Sequence, residues 1–304
     1  MKRGLRALGF GPSSGAALAL LALAACTPSF QSVSEVRDLR VLAIAAEPPE
    51  AFVDLDKKTV QAVHVRMLVA DPAARAQVDA TASLCLPTDN LRCGDQRLDL
   101  PSQRADVGEL AFEVQPSAQL AALIVGALQD DKLKGLGGIR VQLSAQVADA
   151  DPHGPVSAAK TLLFSSVPPD QANHAPRIAR LEVVREGGAT EQLLDGGTLR
   201  LGRFEEVGIR PVLGPGFEGA ETYTTTDLAG RQVTLTEQPR YALFATLGVE
   251  WDKDRADEPL PSQAQPTFGI ARLRAYQTGT GSFWIVVRDG RGGESWLSAS
   301  FTAG

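Results

Sequence analysis

From about residue 36 to its C-terminus this chain alternates apolar and polar residues with a period of two. Glycine, proline, asparagine or aspartate breaks the pattern every few residues. Successive side chains of a strand point to opposite faces, so this pattern marks strands buried on one side. The clearest case is 139–147, where Ile139, Val141, Leu143, Ala145 and Val147 share a face opposite Arg140, Gln142, Ser144 and Gln146. Residues 59–69 alternate likewise, with Val63, Val65, Met67 and Val69 set against His64 and Arg66. Further short strands are expected at 36–44, 111–114, 158–167, 179–183, 199–201, 206–212, 231–235, 241–244, 270–276, 282–288 and 294–301. Only 117–131 departs from the pattern. There Leu120, Ala121, Leu123, Ile124, Ala127 and Leu128 crowd behind Ser117, a good N-cap, and Gly135 to Gly138 end the run, which predicts one short helix. Many short strands at turn spacing argue an all-β fold: two Ig-like β-sandwich domains in tandem, the first with a short helical insertion.

The first 26 residues carry a different signal. Lys2, Arg3 and Arg6 precede an unbroken apolar run from Ala16 to Ala25, the order of a secretory signal peptide. Ten apolar residues are too few for a spanning helix, which needs about 20. Leu23-Ala24-Ala25-Cys26 resembles the lipobox of bacterial lipoproteins. That resemblance implies acylation of Cys26, removal of the peptide before it, and a membrane anchor of several acyl chains. Thr27 in place of a retention aspartate points to the outer membrane. The expected organisation is a signal peptide at 1–25, a lipidated tether at 26–35, a first sandwich at 36–168, a linker at 169–175 and a second sandwich at 176–304. The boundary rests on Pro168, Pro169 and Pro176, which crowd with short polar residues.

Formal charge is −6, and removing the three basic residues of the leader leaves about −9. An acidic chain with no basic cluster does not suit nucleic acid. Apart from Cys26 the cysteines are Cys85 and Cys93, eight positions apart across a turn-forming Pro87, Asp89 and Asn90. In an exported protein two such residues are expected to form a disulfide; the alternative, a metal site, would need further ligands nearby.

Chemistry-bearing motifs are few. His64 falls on the polar face of a strand, His153 in a turn and His174 in the linker, none grouped with a nucleophile. The sequence has no Gly-x-Ser-x-Gly elbow, His-Glu-x-x-His helix or phosphate-binding loop, so no catalytic residue and no cofactor is assigned. Asp252, Asp254, Asp257 and Glu258 place four carboxylates within seven residues. They form either a solvated loop or a weak calcium site, with Lys253 and Arg255 offsetting their charge. Trp251, Trp284 and Trp296 all lie in the second half. Trp284 is expected in the core, whereas Trp251 and Trp296 are candidates for a ligand-binding surface. Residues 282–288 are apolar on both faces, which predicts a central strand buried between layers. Asp289-Gly-Arg-Gly-Gly293 then predicts a hairpin.

Asn173-His-Ala-Pro-Arg-Ile178 and Val286-Val-Arg-Asp-Gly-Arg-Gly-Gly-Glu294 resemble the entry strand and closing hairpin of cadherin-like and related Ig-like modules. With the lipobox and a short tether, the chain is similar to bacterial surface lipoproteins of no agreed activity. The resemblance implies a non-enzymatic, membrane-anchored envelope lipoprotein that binds or scaffolds an envelope protein or polymer. The alternative is a glycan- or envelope-polymer-binding protein that uses the aromatics and loops of the second domain.

Overall fold

The computed structural model describes residues 32–73, 77–149, 154–214, 221–227, 229–260 and 262–304. By contacts the chain divides into Met1–Ser32 and one compact unit, Val33–Gly304. Among its described residues that unit is all-β apart from one helix. After the short β1 (Glu35–Val36), the first sandwich runs through β2 (Arg40–Glu47), β3 (Glu50–Asp54), β4 (Thr59–Val60), β5 (Val63–Ala70) and β6 (Gln77–Cys85). It continues with β7 (Arg97–Asp99), β8 (Gln103–Asp106), β9 (Glu109–Val114), α1 (Ala118–Asp130), β10 (Ile139–Ala148) and β11 (Val156–Ser165). One sheet has the order β2-β5-β9. The other has the order β4-β3-β11-β10-β6-β7, with β8 also on β6. The chain switches sheets at Glu47-Pro48-Pro49: β2 pairs antiparallel with β5, whereas β3 pairs parallel with the end of β11. Val65, Met67 and Phe112 of one sheet meet Leu84, Val141, Leu143 and Phe164 of the other in the core.

Helix α1 forms because Ser117 Oγ accepts the Leu120 N–H at 3.0 Å, and because Leu120, Ile124 and Ala127 fall on one face and are buried. Cys85 closes β6 and is bonded to Cys93. The chain-entropy argument for so short a loop gives about 2–3 kcal/mol. The double replacement Cys85→Ala/Cys93→Ala is therefore expected to lower the urea-unfolding free energy by about that amount. An unchanged midpoint would show that the loop is already ordered without the bond.

The second sandwich comprises β12 (Ile178–Val184), β13 (Thr190–Leu193), β14 (Thr198–Leu201), β15 (Glu206–Leu213), β16 (Thr222–Thr226) and β17 (Gln232–Thr236). After these come β18 (Arg240–Thr246), β19 (Val249–Trp251), β20 (Arg255–Asp257), β21 (Ala271–Ala275), β22 (Gly279–Arg288) and β23 (Glu294–Ala303). Its sheets are β13-β12-β15-β21-β19 and β1-β18-β22-β23-β14, with β20 on β18. Among the described residues β16 and β17 pair only with each other, as a separate ribbon inserted between β15 and β18.

Two departures from the periodic pattern have clear causes. The strand expected over 36–44 is broken at Arg37–Leu39. Its first part, β1, pairs parallel with Ala245–Thr246 of the second sandwich. The doubly apolar strand, β22, lies between two cores. Phe283, Ile285 and Val287 enter the second core. Val286, with Trp284 and Trp296 beside it, joins a third cluster containing Val36, Leu42, Ala43, Leu68 and Ala70. The outer face of β22 is thus covered by β2 and β5 of the first sandwich.

Candidate functional site

Polar groups gather where the β22–β23 hairpin meets the first sandwich. Within the hairpin, Asp289 Oδ1 accepts the N–H groups of Arg291 (2.7 Å) and Gly293 (3.0 Å). Its Oδ2 accepts from Asn173 Nδ2 at 2.8 Å. Gly293 is required sterically, because a Cβ there would lie 2.0 Å from Asp289 Oδ2. Asp289 is buried, and burial pushes its carboxyl up despite these donors.

The turn so built projects Arg291 into a set of carboxylates. Its Nη1 is 3.0 Å from Glu237 Oε1 and 3.6 Å from Glu221 Oε2, and its Nη2 is 3.3 Å from Glu50 Oε2. The guanidinium also lies over the Tyr223 ring, 3.9 Å from its centroid. Glu50 belongs to β3 of the first sandwich and also accepts the Asn173 backbone N–H at 3.0 Å. One arginine therefore ties the first sandwich, the segment around Asn173, the base of the β16–β17 ribbon and the closing hairpin. Glu237 is only 4% exposed. Burial first, and then the charge of Asp289, push its carboxyl up to about 7 against the opposing pull of Arg291. Glu237 Oε2 and Asn173 Oδ1 have no hydrogen-bond partner among the described residues.

Beside this joint lies an open cleft of about 390 Å³, lined by β2, by Ala158–Thr161 of β11 and by the glycine turn. At its side Glu294 is held by Lys160 at 3.0 Å and by Arg288 at 2.5 Å. Arg288 Nη2 also donates to the Leu42 carbonyl at 3.4 Å.

The residues singled out from sequence fall elsewhere. Trp251, a candidate surface aromatic, is 8% exposed and packs edge-on against Phe283 with centroids 5.9 Å apart. It sits on the inward face of β19, so it is a core residue. Trp296 is half-buried, with the Arg66 guanidinium 4.9 Å above its ring. Arg66 is itself held by Glu47 and Glu109, so this aromatic face is covered. Of the calcium candidates, Asp252 Oδ1 accepts the Arg272 N–H, Asp257 pairs with Arg240, and Glu258 accepts the Tyr241 hydroxyl. Among the described residues no three His, Cys, Asp or Glu side chains are placed to share a metal ion. His64 contacts Glu113, His174 contacts Glu221, and His153 lies outside the described residues. Sequence reasoning missed Glu50, Lys160 and Glu237, and it read Asn173, Asp289, Arg291 and Glu294 only as parts of an entry strand and a closing hairpin. The one available signal was an arginine placed between glycines in a turn that begins with aspartate.

No protein-family model and no curated protein sequence matches the chain. Two of the solved structures that match are distant in sequence. Red sea bream transglutaminase matches at 9% identity and a TM-score of 0.23, over 96% of this chain and 34% of the enzyme. AggA, the major subunit of aggregative adherence fimbriae type I from Escherichia coli, matches at 15% identity and a TM-score of 0.23. That match covers 43% of this chain and 95% of the subunit. The chain thus spans about a third of the transglutaminase.

Proposed function

We propose that this protein is a lipid-anchored lipoprotein of the bacterial cell envelope, held in the outer membrane through Cys26, and that it acts as a non-catalytic binding or scaffolding module. The observation that carries this reading is Leu23-Ala24-Ala25-Cys26 at the end of an apolar run that follows three basic residues. The joint supports the scaffolding part. An apolar cluster and a half-buried arginine that meets buried carboxylates hold the two sandwiches to one another, which suits a body that presents its surfaces in a fixed mutual arrangement. The covered states of Trp251 and Trp296 remove the aromatic support for a glycan platform.

The test is Cys26→Ser in cells fed labelled palmitate. The native chain is expected to take up label and to sediment with membranes through a high-salt wash. The variant is expected to do neither. A variant that stays in the membrane fraction would overturn the anchor. A crosslinking pulldown with the native chain then reads the scaffold: recovery of an envelope protein or polymer supports it, and turnover in a hydrolase panel opposes it.

A further inference from the structure

We propose that the β16–β17 ribbon is a pairing arm, and that the outer edge of β17 docks against the same edge of a second copy of this chain. The ribbon belongs to neither sandwich sheet, and its two outer edges have no strand partner among the described residues. Which groups face outward follows from two bonds. The Glu237 N–H donates to the Glu221 carbonyl and the Asp227 N–H to the Arg231 carbonyl, each at 2.9 Å. Paired residues of an antiparallel ladder alternate between hydrogen-bonded and open pairs, so Tyr223/Leu235 and Thr225/Val233 are also bonded inward. The N–H and C=O groups of Gln232, Thr234 and Thr236 therefore point away from β16.

Proteins usually protect such edges with lysine, proline or another charge. Residues 222–226 and 232–236 contain none of these, although the whole chain carries −6. A neutral edge on an acidic protein lets two copies meet there without repulsion. The edge of β17 is also self-complementary. A two-fold axis at Thr234 sets Thr234 opposite its own copy and Gln232 opposite Thr236, with reciprocal backbone bonds at each pair. On the other face Val233 then lies beside the second copy's Leu235, and Leu235 is 44% exposed in the single chain. The β16 edge has the same backbone symmetry, but its other face would set Tyr223 beside Thr225 in place of two aliphatic side chains, and Tyr223 is already covered by Arg291.

Five residues bury far less than the roughly 1,200 Å² of a stable interface, so pairing between free molecules is weak. Confinement of both copies to one membrane would raise their effective concentration, and in this respect alone the arm rests on the anchored reading.

Thiol trapping suits a weak contact. Hydrogen-bonded partners sit with Cα atoms about 5.5 Å apart, within disulfide range. In the full chain carrying Cys26→Ser, Thr234→Cys is expected to give a disulfide-linked dimer under mild oxidation. Thr224→Cys, at a position also exposed but on the other edge, is expected to give several-fold less. Adding Gln232→Pro removes one outward N–H without touching the inner ladder, so it should cut the yield while leaving the melting temperature in place. Equal trapping at 224 and 234, no trapping at 234, or capture of a different polypeptide there on whole cells would each overturn the proposal. Cys26→Ser removes the lipid, so failure of this test leaves the anchor untouched.

Discussion

Arg291→Met is expected to destabilise the folded chain by about 3–5 kcal/mol, the usual cost of removing one partner from a buried ionic group. Methionine keeps most of the length and the apolar stem, so packing is largely retained. What is lost is the guanidinium that faces both Glu237 and Glu50. Those carboxylates are nearly shielded from water, their side chains 1% and 8% exposed. Left unpaired, they must either stay charged at high cost or take up protons. The loss measured by urea unfolding should therefore be larger at pH 8 than at pH 5. Arg231→Met makes a matched control. It breaks the exposed pair with Asp227, and such pairs contribute about 0–1 kcal/mol. Equal, small effects at 231 and 291 would show that the joint is wetter than its geometry implies.

Much of the fold was readable because burial on one side leaves a periodic trace. The alternation of Ile139–Val147 became β10, and the apolar faces of residues 282–288 became the two sides of β22, each against a different core. Ser117 capped the helix as its chemistry suggests. The misses have physical causes. In β6 the buried positions are Val78, Ala80, Ala82, Leu84 and the final Cys85, and the small alanines weaken the contrast with Asp79, Thr81 and Ser83. β16 is almost all threonine and stands away from both cores, so it has no apolar face to show. Trp251 sits beside an acidic run that reads as surface, yet the pleat of β19 turns it inward. The joint itself was invisible. Arg291 and Glu50 are separated by 241 residues, and polar groups that meet only in three dimensions leave no period in the sequence.

Glu237→Gln is expected to flatten the pH dependence of stability and to raise stability at pH 8. Glu237 holds its proton up to about pH 7 in the folded chain, against an ordinary value of 4.5. The folded state thus binds this proton more tightly than the unfolded state. By linkage the associated stability is fully present below about pH 4.5, falls as pH rises to about 7, and is level beyond that. The full loss is about 3 kcal/mol as an upper figure, because each tenfold difference in proton affinity between the two states is worth about 1.4 kcal/mol. Asp289, also raised by burial, adds in the same direction. Carboxylates held low, such as Asp131, which accepts the Leu133 and Gly135 N–H groups, act oppositely and lose stability as pH falls through the acid range. The native chain should therefore be most stable on the mildly acidic side of neutrality. Glutamine mimics the neutral carboxyl, keeps an oxygen for Arg291 and adds a donor, so it should hold the acid-side stability at alkaline pH. Thermal melts of both chains from pH 4 to pH 9 would read this directly. Parallel curves would mean that Glu237 stays ionised beside Arg291 throughout, and that the arginine outweighs the burial.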